Sequence, residues 1–206
     1  MNQPRIKICG ITRPEDALHA EAAGADAIGF VFVPKSRRNI PVEAAANIAA
    51  MLGPYITVVG LFLDAARTDV EAALSAIPDL VPQFHGQESG EYCDGFGRSY
   101  VKAIGVGNGM PAADELQRYQ RASAFLFDSN VAGELGGTGH VFDWDVLRGY
   151  AGKPLVLAGG LDENNVATAI QTVSPYAVDV SSGVESAPGI KESGRVSRFI
   201  NLVRGV

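Results

Sequence analysis

The chain has only two cysteines, Cys9 and Cys93, in 206 residues, without the spacing of a disulfide framework or a cysteine-built metal centre. A reducing cytoplasm is the simplest setting for such a chain. It has no excess of positive charge. Seventeen Lys and Arg against 23 Asp and Glu give a formal charge of −6, which offers no basic footprint for nucleic acid. No apolar run is long enough to span a bilayer, and the N-terminal stretch lacks the apolar core of a secretion signal. Neither a nucleic-acid nor a membrane partner is expected. No Pro/Ser-rich linker divides the sequence, so residues 1–206 read as one domain.

What is present is a regular alternation. Eight apolar segments look like strands: Ile6–Cys9, Ala27–Phe32, Thr57–Leu63, Leu80–His85, Tyr100–Val106, Ala124–Asp128, Pro154–Ala158 and Ala177–Ser181. Each is followed by a helix-like stretch, giving one unit per roughly 25 residues, a compact βα spacing. Thr12-Arg13-Pro14-Glu15 reads as a capping box that opens a helix stopped at Gly24. Val42, Ala45, Ala49 and Leu52 share one helical face, and Asp162 reads as the N-cap of a helix carrying Val166 and Ile170. Val196, Phe199, Ile200 and Val203 form the clearest amphipathic pattern. Residues 88–98 are broken by glycine, and residues 129–142 form a long Gly-rich loop with a poorly marked helix after it.

Eight alternating units predict an α/β fold, a single (β/α)8 TIM barrel. An open doubly wound sheet normally needs fewer strands, and the first strand–helix turn has no GxGxxG. In such barrels the functional residues stand at the C-terminal ends of the strands. The strand ends therefore name the candidates.

Cys9 ends the first strand and is followed at once by Gly10. A lone free cysteine is most often just a small buried residue, yet here it stands where a thiolate base or nucleophile would be needed. Asp128 ends the sixth strand after a run of apolar residues. It caps the following loop or, with a carboxyl pKa raised by an apolar mouth, serves as an acid. Arg38 follows the second strand in Lys35-Ser36-Arg37-Arg38, either as part of a solvated turn or as a bidentate clamp on a carboxylate. His85 ends the fourth strand and either polarises a substrate oxygen or hydrogen-bonds within the barrel mouth.

Two loops of small residues complete the set. Gly159-Gly160 follows strand seven and Ser181-Ser182-Gly183 follows strand eight, where barrels commonly hold phosphate on backbone N–H groups. Gly136, Gly137, Thr138 and Gly139 form a possible lid over the ligand. Lys7 shares its strand face with Cys9, and an inward lysine needs an acid; Asp179 on the last strand is the nearest, which predicts an interior ion pair.

Together these residues resemble the phosphoribosylanthranilate isomerase family of tryptophan biosynthesis. The matching stretches are Lys-Ile-Cys-Gly-Ile-Thr at 7–12, Gly-Phe-Val-Phe at 29–32, Lys-Ser-Arg-Arg at 35–38, Val-Gly-Leu-Phe at 59–62 and Phe-His-Gly at 84–86. Leu-Phe-Asp-Ser at 126–129, Gly-Gly-Thr-Gly at 136–139, Phe-Asp-Trp at 142–144, Ala-Gly-Gly-Leu at 158–161 and Val-Asp-Val-Ser-Ser-Gly-Val-Glu at 178–185 follow in order. Phe84 stands where leucine is expected before His-Gly, and the segment 88–98 is also untypical.

The resemblance implies an Amadori rearrangement of N-(5-phosphoribosyl)anthranilate to 1-(2-carboxyphenylamino)-1-deoxyribulose 5-phosphate. Cys9 would be general base, Asp128 general acid and Arg38 the holder of the anthranilate carboxylate. The phosphate would lie on the loops after strands seven and eight, with His85 as a substrate contact. No cofactor and no metal are implied, and the partner is a small phosphorylated substrate, bound by a monomer or a homodimer. A histidine-pathway or dual-specificity phosphoribosyl isomerase is the nearest alternative, but its first-strand base is aspartate where this chain has Cys9. Indoleglycerol-phosphate synthase would need inward catalytic lysines and a further N-terminal segment. A non-catalytic phosphoribosyl-ligand binding module would keep the phosphate loops without needing both Cys9 and Asp128.

Overall fold

The strands carry near-continuous runs of Val, Ile, Leu and Phe because helices cover their outer face. In the computed structural model, which describes residues 3–107, 109–129 and 142–206, the first eight strands close into a barrel in sequence order. They are β1 (Arg5–Cys9), β2 (Ala27–Val31), β3 (Thr57–Phe62), β4 (Val81–Phe84), β5 (Tyr100–Gly105), β6 (Ala122–Asp128), β7 (Leu155–Leu157) and β8 (Ala177–Val180). All neighbours are parallel, and β8 pairs with β1 to shut the barrel, with Lys7 opposite Asp179. The eight predicted strands all form, with ends shifted by a residue or two.

The period of two divides the core. Even-numbered β1 and β2 residues such as Ile6, Ile8, Ile28 and Phe30 are fully buried in the large cluster beneath the helices. Small side chains, Ala103, Ala124, Ala158 and Ala177, pack with Leu126 and Val156 in a second cluster. These share strand parity with Asp128 on β6 and Asp179 on β8, so the alternation that fills the lumen also turns those carboxylates toward the barrel mouth.

The helices are α1 (Pro14–Ala22), α2 (Val42–Ala49), α3 (Arg67–Ala76), α4 (Gly90–Asp94), α5 (Ala113–Gln117), α6 (Val166–Val173) and α7 (Ser193–Arg204). The predicted face of α7 is buried throughout, at Val196, Phe199, Ile200 and Val203. Three local expectations are corrected. The capping box does not form: Arg13 caps α1 without a side-chain hydrogen bond, and the Thr12 hydroxyl donates instead to the carbonyl of Gly189. Asn165, not Asp162, is the N-cap of α6; Asp162 accepts from the N–H groups of Asn164 and Asn165 in the turn before it. The stretch after 142 is a short 3-10 helix, Trp144–Leu147.

The Gly-broken segment 88–98 does hold a helix, because tertiary packing outweighs its weak pattern. Ser89 caps α4 by accepting from the Tyr92 N–H at 3.1 Å. Tyr92 and Phe96 then pack with Phe84, ring centroids 5.2–5.9 Å apart. Beneath this cluster Lys102 is buried and donates to Glu88 and to the carbonyls of Phe84 and Gly86.

A hairpin that the sequence pattern did not disclose follows the barrel: β9 (Glu185–Ala187) and β10 (Ile190–Lys191), antiparallel. Among the described residues no helix is long and apolar enough to cross a membrane.

Candidate active site

At the C-terminal mouth of the barrel lies a cleft enclosing about 740 Å³, open solvent at its mouth included. Its wall gathers residues from six strand ends: Cys9, Arg38, His85, Asp128, Gly159, Gly160, Ser181 and Ser182, together with Asp179. Gly183 is not part of that wall and packs against Leu161 and Asp162. The candidates Gly136, Gly137, Thr138 and Gly139 lie outside the described residues.

Cys9 is buried, 5% exposed, at the end of β1. Its neighbour Gly29 on β2 has to be glycine for the thiol to fit: a Cβ there would stand 2.8 Å from Cys9 Sγ and 3.1 Å from Lys7 Cε. Burial pushes the thiol pKa up, while the charges of Lys7 and Lys191 pull it back and Asp179 opposes them. Lys7 Nζ lies 3.0 Å from Asp179 Oδ1, the ion pair expected from strand parity. Despite the burial that works against it, Asp179 and Cys9 hold Lys7 as an ammonium ion.

Asp128 stands across the mouth at the end of β6, partly buried. The Ser129 hydroxyl lies 3.3 Å from its Oδ1 and donates to it. His85 is neutral. Burial, then the nearby charges of Lys7 and Lys102, push its pKa down to about 3. Its Nε2 is in hydrogen-bond contact with the Gln83 side-chain amide, so in this geometry it accepts rather than donates.

Arg38 is not part of a solvated turn. Lys35 and Arg37 are exposed, but the Arg38 side chain is only 12% exposed. Its Nε and Nη2 donate to the two carboxylate oxygens of Glu185, each at 2.8 Å. The guanidinium thus reaches the cleft already engaged along one edge.

The two loops of small residues meet. Gly159 and Gly160 both take left-handed backbone angles, φ +81° and +65°. Asn165 Nδ2 donates to the Gly160 carbonyl at 2.8 Å and Asn165 Oδ1 accepts from the Asp162 N–H at 2.9 Å, fixing the loop after β7. Ser182–Val184 form a one-turn 3-10 helix after β8. Gly183 lets the loops touch, since a Cβ there would lie 2.0 Å from the Leu161 carbonyl oxygen.

Sequence reasoning missed two parts of this site. Val31, Val33, Leu61 and Leu63 make an apolar wall; the signal was available, since all four share the strand parity that points inward at the ends of β2 and β3. Glu185 and Lys191 were also missed; they stand behind the wall, where the hairpin sets them against Arg38 and the Ser181 carbonyl. Among the described residues no group of three or more His, Cys, Asp or Glu is arranged to hold a metal ion.

A family model described as N-(5'-phosphoribosyl)anthranilate (PRA) isomerase matches residues 6–202. The chain belongs to that family. The N-(5'-phosphoribosyl)anthranilate isomerase of Stutzerimonas stutzeri is 50% identical over 202 residues, covering 98% of each chain. The crystal structure of phosphoribosyl anthranilate isomerase from Thermotoga maritima superposes with a TM-score of 0.90 at 39% identity, covering 98% of this chain and 100% of that one. A phosphoribosyl anthranilate isomerase solved in complex with reduced 1-(o-carboxyphenylamino)-1-deoxyribulose 5-phosphate has a TM-score of 0.83 at 37% identity, again over 98% and 100% of the two chains.

Proposed function

We infer that this chain is an isomerase that converts N-(5-phosphoribosyl)anthranilate to 1-(2-carboxyphenylamino)-1-deoxyribulose 5-phosphate in tryptophan biosynthesis, all 206 residues serving as one catalytic domain. The observation that carries the assignment of roles is the convergence of a thiol, a carboxyl group, a guanidinium and two small-residue loops on one cleft.

The substrate has three handles, and the cleft has a counterpart for each. Its phosphate suits the backbone N–H groups around Gly159, Gly160, Ser181, Ser182 and Gly183, where fixed dipoles favour a dianion. Its aromatic ring suits the apolar wall of Val31, Val33, Leu61 and Leu63. Its carboxylate suits Arg38. Held so, the ribose lies between Cys9 and Asp128.

Asp128 protonates the furanose ring oxygen, and the C1–O bond breaks to give the open-chain Schiff base. Cys9, as thiolate, removes the proton from C2 and the enolamine forms. Protonation at C1 and loss of the enol proton give the ketone. No electron leaves or enters the molecule, and the proton count is unchanged. Lys7 and Lys191 favour the thiolate. His85, neutral, contacts a substrate oxygen.

Every group named comes from one chain, so the reading holds equally for a monomer or a homodimer. A thiol base also fits the reducing cytoplasm, which we propose as its location.

The test is the fall in substrate fluorescence on adding the protein, run beside Asp128→Asn. Decay is expected with the wild type. Asp128→Asn should lower kcat about 10²–10⁴-fold with KM little changed, because an amide delivers no proton. A fluorescence trace that stays flat with folded wild-type protein overturns the activity. A rise in KM alone removes Asp128 from the chemistry.

A further inference from the structure

We propose that Glu185 is a positioning residue for carboxylate recognition: from the β9–β10 hairpin it holds the Arg38 guanidinium by one edge so that the other edge faces the cleft. This rests on the reading of Arg38 as the group that receives the substrate carboxylate.

The geometry is specific. A guanidinium presents five N–H donors in a planar fork. Glu185 takes the Nε and one Nη2 hydrogen, through Oε1 and Oε2, both at 2.8 Å. Among the described residues no other side chain bonds the Arg38 guanidinium, so the Nη1–Nη2 edge remains for a second planar carboxylate. An arginine held this way has already given up its rotamer freedom, and binding need not order it again.

Glu185 is itself fixed from several sides. Its Oε1 also accepts from Lys191 Nζ at 2.8 Å and from the Gly189 N–H at 3.2 Å. The Arg195 guanidinium donates to its backbone carbonyl at 2.7 Å. The hairpin is tied to the first turn of α1, since the Lys191 N–H donates to Asp16 Oδ2 at 3.0 Å and Asp16 in turn pairs with Arg13. Both Glu185 and Lys191 are buried, at 7% and 4% exposure. Burial raises the Glu185 pKa, but Arg38 and Lys191 outweigh it and keep the group ionised.

The charge count explains why an acid is needed. Burial and, less strongly, the charge of Arg38 push the Lys191 pKa down, and Glu185 opposes them. One carboxylate between Arg38 and Lys191 leaves the trio with a single net positive charge, which suits a monoanionic carboxylate.

The experiment compares wild type, Glu185→Gln, Arg38→Ala and the double variant. Each is assayed for kcat and KM, and titrated with reduced 1-(o-carboxyphenylamino)-1-deoxyribulose 5-phosphate and with ribose 5-phosphate, which has no carboxylate. Glu185→Gln should raise KM and weaken the carboxylate-bearing analogue about 10–100-fold, the scale of one lost charged hydrogen-bond partner. Its kcat and its affinity for ribose 5-phosphate should stay within about two-fold, a split that a general loosening of the site does not produce. In the Arg38→Ala background Glu185→Gln should cause no further loss for the analogue.

Should Glu185→Gln fold poorly, Glu185→Asp keeps the charge beside Lys191 but draws the carboxylate back by one methylene, and the same split is expected. Equal losses for both ligands, an unchanged KM, or a full additional loss in the Arg38→Ala background would overturn the proposal. An Arg38→Ala protein that binds the analogue normally overturns the proposal and the clamp reading together. Absence of turnover in the wild type, with the binding split intact, counts against the isomerase activity alone and supports the positioning role.

Discussion

Lys7 and Asp179 face each other across the seam where β8 closes against β1, charged atoms 3.0 Å apart and both side chains only 8% exposed. Neither Lys7 Nζ nor Asp179 Oδ1 completes a well-angled hydrogen bond, so charge rather than directed bonding holds the pair. The pair sits one inward position below Cys9 on the same face of β1. It therefore joins barrel closure to the electrostatics of the thiol.

Removing one member of a buried pair strands the other. Lys7→Met should cost about 3–5 kcal/mol of stability. Adding Asp179→Leu should recover most of that loss, because no buried charge is then left without a counter-ion. Urea unfolding of the two single variants and the double variant measures the coupling. Single and double variants of equal stability would show that the pair contributes nothing to closure.

Cys9→Ala should lower kcat/KM about 10²–10⁴-fold, the usual span for a general base, with an unchanged circular dichroism spectrum. Burial outweighs the pull of Lys7 and Lys191 on the thiol. Wild-type kcat/KM should therefore climb as pH rises from neutrality toward the ordinary thiol range and beyond, and the variant should lose this limb. A folded Cys9→Ala enzyme with near-normal turnover removes the thiol from the mechanism.

His85 gives stability a pH dependence of definite sign. Its folded-state pKa is about 3, against 6.5 for a free histidine. Between those values the unfolded chain takes up a proton that the folded chain refuses. Its contribution is therefore fully present above pH 6.5 and lost progressively as pH falls toward about 3. His85→Asn should flatten the fall in urea midpoint over that window. Parallel curves for variant and wild type would show that His85 accepts its proton when folded.

Gly183→Ala places a methyl group against the Leu161 carbonyl, with only 2.0 Å between the atoms. The loops after β7 and β8 must then separate. Stability should fall by about 1–3 kcal/mol, as for other overpacked sites, and ribose 5-phosphate should bind more weakly. Calorimetric titration beside thermal unfolding reads both effects. Unchanged affinity in a destabilised protein would show that the loop contact serves the fold and not the phosphate.

Much of the site was legible because a barrel converts order into position. Once eight strands are counted, Cys9, His85, Asp128, Gly159 and Ser181 fall at or just past strand ends and Arg38 in the loop after β2, and parallel closure in sequence order leaves them one rim to share. Lys7 and Asp179 were paired by the same reasoning, since the first and last strands must become neighbours. The caps were less legible. Thr12 carries the signature of a capping box, but its hydroxyl finds a carbonyl 177 residues away in the hairpin turn, and a local rule has no knowledge of that competitor.

The sequence by itself determined the alternation of strands and helices, the inward parity that selects the functional face, and the chemical types available at the mouth. These depend on neighbours within a few residues, where periods of two and 3.6 already decide which side chains share a face. Only the tertiary structure decided what engages those groups. From the sequence Arg38 is either part of a solvated turn or a clamp on a carboxylate, and it is the hairpin, by bringing Glu185 against it, that excludes the solvated turn. Glu185 meets Lys191 as well, and each of these pairs requires the folded chain to bring carboxylate and cation into contact. The thiol of Cys9 has its ionisation set first by burial and then by Lys7, Asp179 and Lys191, which stand on three different strands. Coulomb interactions and desolvation depend on distance in space, and separation along the chain carries no record of it.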